Sequence, residues 1–114
     1  MSNQKWSLIR VGIVDYAKGK KGPLYKEILE CARRNLASSA SVFKSIDGFQ
    51  IKGHQESVRL FGGLERSQAL LFEILIKSEI KEDFLDRLRE ICESAEDPAI
   101  ISISNANIEV FGME

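Results

Sequence analysis

At 114 residues the chain has the size of one ordinary domain, and 44% hydrophobic residues are enough for a packed core, which argues against disorder. Sixteen basic and 17 acidic side chains leave a net charge of −1, which argues against a dedicated nucleic-acid binder. That charge is unevenly placed: residues 1–66 carry 12 basic and 6 acidic side chains, whereas residues 67–114 carry 4 and 11. Such a dipolar chain suits an anion at one end or complementary self-association; the plainer reading is two solvated helix faces.

Leu8 to Val14 (LIRVGIV) is apolar and partly β-branched, and reads as a buried strand. A basic, glycine-containing loop follows, Asp15 to Gly22. Pro23 suits the first turn of a helix, where its missing N–H costs nothing. Leu24, Ile28, Cys31, Ala32 and Leu36 recur at helical spacing, predicting a helix over about 23–36 with Lys26, Glu27, Glu30, Arg33 and Arg34 facing water. Ala40 to Phe49 reads as a second strand. Residues 50–68 show neither period and read as one long loop, a length that is uncommon in compact domains and often functional.

Ala69 to Lys77 (ALLFEILIK) is the strongest strand, apolar on both faces except at Glu73, and should be central in a sheet. Glu73 needs a partner, and Arg10 on the first strand is the candidate for a structural ion pair. Ser78 is placed to cap a second helix whose stripe is Ile80, Phe84, Leu88, Ile91 and Ala95. Asp97-Pro98 ends it. Beyond, the apolar phase shifts from Ile101 and Ile103 to Ile108 and Val110, predicting a bulge or turn near 104–107 that splits two short strands.

The order β-α-β-loop-β-α-β matches the ferredoxin-like split βαβ plan, an α+β sandwich with both helices on one sheet face. No third helix remains to cover strands that are apolar on both faces. Burial of the open face by another subunit is therefore expected. Cys31 and Cys92 lie in helical apolar patterns without a CxxC or Cys/His cluster, and read as reduced core residues. The N-terminus lacks a signal-type apolar segment, and the longest unbroken apolar run is Ala69 to Phe72; a cytoplasmic protein is expected.

Lys18 to Gln50 (KGKKGPLYKEILECARRNLASSASVFKSIDGFQ) resembles the lysine-glycine-Pro-Leu-Tyr, helix, A-x-V-x-x-x-I-x-G-F pattern of the family called domain of unknown function 190. Leu64 to Lys77 (LERSQALLFEILIK) is similar to that family's later strand motif. The family in turn resembles the nitrogen-regulatory PII and the CutA proteins. The resemblance implies a ferredoxin-like homotrimer with a long loop after the second strand, and ligands such as adenine nucleotides in clefts between subunits. It implies a small-molecule sensor and no catalytic activity. The connector at 95–99 is acidic and lacks glycine, unlike the phosphate-binding loop PII proteins carry there.

Lys18, Gly19, Lys20 and Lys21 are not a P-loop, because the GxxxxGK[ST] spacing is missing. They still bring three lysines to a helix start, where an anion is favoured; the alternative is a solvated connector. Gly48, Phe49, His54 and Arg59 frame the long loop and complete the candidate ligand site. His54 is the only histidine, so one chain cannot build a His-rich metal site. A metal-responsive, CutA-like trimer using His54 is the alternative reading. Tyr25 reads as a packing or interface residue and Trp6 as packing at a strand edge. No nucleophile–base–acid set can be assembled. The expectation is a non-enzymatic signalling protein that senses a nucleotide or other small anionic metabolite and contacts a partner such as a membrane transporter or channel, with no nucleic acid and no cofactor.

Overall fold

The computed structural model describes residues 5–44 and 69–112. In chain order these form β1 (Trp6–Val14), α1 (Leu24–Arg34), β2 (Ser39–Lys44), β3 (Ala69–Lys77), a 3-10 turn (Ser78–Ile80), α2 (Lys81–Glu93) and β4 (Ile100–Ala106). The sheet order is β2-β3-β1-β4, and every neighbouring pair is antiparallel. Each helix crosses over one intervening strand, which is the split βαβ arrangement expected from the element order. The long loop expected at 50–68, and with it Gly48, Phe49, His54 and Arg59, lies outside the described residues.

Side chains alternate across each strand, so one set of β1 and β3 faces the helices. Ile9, Val11 and Ile13 of β1 and Leu70, Phe72, Ile74 and Ile76 of β3 are buried there. They pack with Leu24, Ile28, Cys31 and Ala32 of α1 and with Phe84, Leu85 and Leu88 of α2. Full burial of a side chain such as Phe72 stabilises the fold by about 1.5–3 kcal/mol. Tyr25 packs partly buried against this cluster, as its packing role requires.

Four expectations are corrected. Pro23 is the residue before α1, with φ −58° and ψ 132°, rather than part of its first turn. Leu36 does not extend the α1 stripe: it is 74% exposed, with φ +64°. The helix ends in a Schellman turn in which Leu36 N–H donates to the Arg33 carbonyl and Ala37 N–H to the Ala32 carbonyl, and that turn demands a left-handed residue at position 36. Ser78 does not cap a helix. Its hydroxyl lies 2.8 Å from that of Ser7, a fully buried polar side chain that needs a partner, while Ser78 N–H donates to the Lys5 carbonyl. Finally, β4 runs unbroken through 104–106, with Ser104 opposite Leu8 and Ala106 opposite Trp6. The phase change falls beyond the strand's end, and no further strand follows among the described residues.

Among the described residues no helix lies on the second sheet face. Directly opposed residues share a face, so the register groups its side chains into rows across the sheet. Phe43, Leu71, Gly12 and Ile100 form one row, with Phe43 52%, Leu71 38% and Ile100 56% exposed. The next row is polar: Ser41, Glu73, Arg10 and Ser102. Here Arg10 Nε donates to Glu73 Oε2 at 3.1 Å, the expected ion pair, set on the open face rather than in the core. A third row has Leu75 and Leu8 at its centre, flanked by Ser39 and Ser104. Below it Trp6 sits opposite Lys77, whose Nζ lies 6.0 Å from the ring centroid.

Candidate functional site: the loop before helix α1 and its two flanking cavities

The chain leaves β1 at Val14 and reaches α1 through a closed turn. Ala17 N–H donates to the Val14 carbonyl, and Leu24 N–H to the Ala17 carbonyl at 2.9 Å. Lys18 and Pro23 then form an antiparallel bridge, closed by a 2.7 Å bond from Gly19 N–H to the Gly22 carbonyl. Gly22 has φ +141°, a conformation that side chains strain to adopt, which explains glycine there. The loop is thus a tight hairpin standing at the start of α1.

Its backbone already holds an anion, one that belongs to the protein. Glu27, one turn into α1, folds back so that its Oε2 accepts the Lys21 N–H at 2.7 Å. The same carboxylate covers Gly19, where an added Cβ would stand 2.8 Å from Glu27 Cδ. Gly19 therefore leaves room for the Glu27 carboxylate, which would have to move aside for any larger residue. In the sequence reading Glu27 merely faced water.

The hairpin also separates the three lysines. Lys18 and Gly19 line a cavity of about 330 Å³ together with Tyr16, Ser94, Glu96 and Asp97. One lysine there faces two carboxylates from the connector after α2, which disfavours an anion. Lys20 and Lys21 line a different cavity of about 520 Å³, a groove between α1 and α2 whose walls include Arg34, Arg87, Glu27 and Glu90. Arg34 and Arg87 were not candidates from sequence, because each falls on a helix position that simply faces outward until the two helices pack. A third hollow, about 690 Å³, lies at the opposite end of β1 between Lys5, Trp6 and the segment Asn105 to Glu109.

The groove has an ordered floor. Asn35 at the end of α1 donates from Nδ2 to the Cys31 carbonyl at 2.8 Å, and its Oδ1 accepts from Arg87 Nε at 3.3 Å. Beside it Arg34 Nε donates to Glu30 at 2.7 Å, and Arg33 grips the same carboxylate. These bonds from Arg33 and Arg34 hold the Glu30 carboxyl below its ordinary range. Burial pushes the Cys31 thiol up, an effect partly offset by the nearby Arg87 charge. Burial also pushes the Cys92 thiol up to about 11, with Cys31 and Glu93 adding to it. Both cysteines are free and are held as thiols, not as reactive thiolates. Among the described residues no His, Cys, Asp and Glu side chains cluster to hold a metal, and His54 is not among them.

A family model matches residues 6–108, nearly the whole chain, for the conserved uncharacterised family DUF190 ("Uncharacterized ACR"). The chain belongs to the DUF190 family. Comparison with the curated proteins gives no match. Among solved structures the DUF190 chain is similar to a protein of Thermus thermophilus assigned as PII-like in signalling, with a TM-score of 0.59 and 20% identity over 90% of this chain and 87% of that one. It is also similar to the GlnK–ATP complex of B. subtilis (TM-score 0.49, 16% identity, 92% and 86% covered) and to a de novo designed protein, Foldit4 (0.46, 15%, 91% and 99%). The Thermus likeness establishes a PII-like fold for this DUF190 member. No helix among the described residues is long and apolar enough to cross a membrane.

Proposed function

We propose that this DUF190 chain is a PII-like, non-enzymatic regulatory module that works as a cytoplasmic homotrimer. It senses a nucleotide or another small anionic metabolite at clefts between its subunits, and it presents residues 50–68 to a partner protein such as a membrane transporter or channel. The observation that carries the reading is the uncovered sheet face. A row of Phe43, Leu71 and Ile100 and a centre of Leu8 and Leu75, divided by the polar row of Ser41, Glu73, Arg10 and Ser102, form two apolar bands with no element among the described residues over them. Such a surface costs free energy in water and is relieved by association. The Arg10–Glu73 pair between the apolar rows gives that association a register.

A regulatory role requires the ligand to bind one state of the partner-facing segment better than another, since equal affinity shifts nothing. The test has two parts. Light scattering should give the mass of three chains for the wild type and of one chain for the Phe43→Lys/Leu71→Lys double variant. A wild type that stays monomeric at micromolar concentration overturns the trimer. A thermal-shift screen with adenine nucleotides tests the sensor role. Ligand at 100 times its dissociation constant should add about 2.7 kcal/mol to stability.

A further inference from the structure

We infer that the groove between α1 and α2 is a binding site for a small phosphorylated metabolite, formed within one chain and on the layer opposite the open sheet face. It goes beyond the intersubunit reading and differs from it in location, although Lys20 and Lys21 enter both.

The argument starts from charge. The chain as a whole carries −1, yet this groove gathers Lys20, Lys21, Arg34 and Arg87 from a loop and two helices against the carboxylates of Glu27 and Glu90. Glu27 is already bound to the Lys21 N–H and turned onto Gly19, so it is engaged by the loop. The volume, about 520 Å³, falls within the range of small-molecule sites. Arg87 is the anchor. Asn35, itself held by the Cys31 carbonyl, takes the Arg87 Nε–H and so orients the guanidinium. Arg87 has no salt bridge among the described residues, in contrast to Arg33 and Arg34, which share Glu30. A guanidinium whose Nε is fixed and whose terminal nitrogens meet no carboxylate among the described residues matches the paired oxygens of a phosphate. Ile91 and the buried Cys31 supply an apolar wall for the rest of the molecule.

The experiment is calorimetric titration of the full-length protein with inorganic pyrophosphate and, separately, with ADP. Both should bind the wild type if the phosphoryl group is what the groove recognises. Arg87→Ala should weaken both by about tenfold or more. Arg87→Gln keeps a donor for Asn35, so a similar loss there shows that the charge matters rather than the local structure; circular dichroism and light scattering check that both variants keep the wild-type fold and assembly. The monomeric Phe43→Lys/Leu71→Lys variant should still bind. Unchanged affinity in both Arg87 variants overturns the groove site, as does wild-type protein that binds neither probe. Binding lost in the sheet-face variant but kept in the Arg87 variants places the ligand between subunits, overturning the groove site while leaving the regulatory reading intact.

Discussion

The contact between Gly19 and Glu27 makes a quantitative prediction about the loop. Gly19 has no left-handed φ, so alanine can take its backbone conformation without strain. On its own, that substitution would stabilise the protein by about 0.4–1 kcal/mol through the unfolded chain. In the wild type, however, the new Cβ meets the Glu27 carboxylate, with Cδ at 2.8 Å, and the carboxylate must leave the Lys21 N–H it binds at 2.7 Å. Losing a hydrogen bond of this kind in a partly exposed position costs about 0.5–1.5 kcal/mol, enough to cancel or reverse the gain. In a Glu27→Ala background neither the clash nor the bond exists, and Gly19→Ala should then be stabilising. The assay is urea denaturation of the wild type, both single variants and the double variant. The expected coupling is about 0.5–1.5 kcal/mol. If Gly19→Ala changes stability equally in both backgrounds, Glu27 does not close over the loop and the reasoning fails.

Two further outcomes follow from backbone and burial. Leu36 holds a left-handed conformation at the Schellman turn while mostly exposed, so Leu36→Gly removes about 1–2 kcal/mol of strain and returns roughly 0.5–1 kcal/mol in chain entropy; denaturation should show a net gain. The Cys92 thiol, raised to about 11 by burial, keeps its proton in the folded chain where an unfolded thiol would lose it. Folded protein then binds more protons than unfolded, so Cys92 contributes stability that is fully present below about pH 8.5 and is lost as pH rises towards 11. The stability of Cys92→Ala should fall less steeply than that of wild type over that window, and equal slopes would remove Cys92 from the account.

What the sequence made legible is what periodicity and register encode. The β3 stretch Ala69 to Lys77 has one polar interruption, and the structure places it beside Arg10 as the pattern required. The uncovered face could be foreseen because two helices can cover one side of a sheet and these strands are apolar on both. Hidden were features made by close approach in three dimensions. Ser78 has the chemistry of a cap, yet the buried Ser7, 71 residues earlier, claims its hydroxyl. Leu36 continues a helical stripe by spacing, but the turn that points the chain towards β2 removes it from the core.

The same distinction governs the candidate site. Three lysines within four residues look like one cationic loop, and a linear reading has no means to separate them. The hairpin closed by Lys18 and Pro23 does so: it sends Lys18 towards Glu96 and Asp97 and sends Lys20 and Lys21 towards Arg34 and Arg87. A carboxylate pair cancels the attraction on one side, whereas two arginines from packed helices reinforce it on the other. The anion affinity proposed for the groove therefore rests on the helix packing more than on the glycine-lysine motif. A peptide of the loop alone should show none of the affinity for pyrophosphate expected of the folded chain.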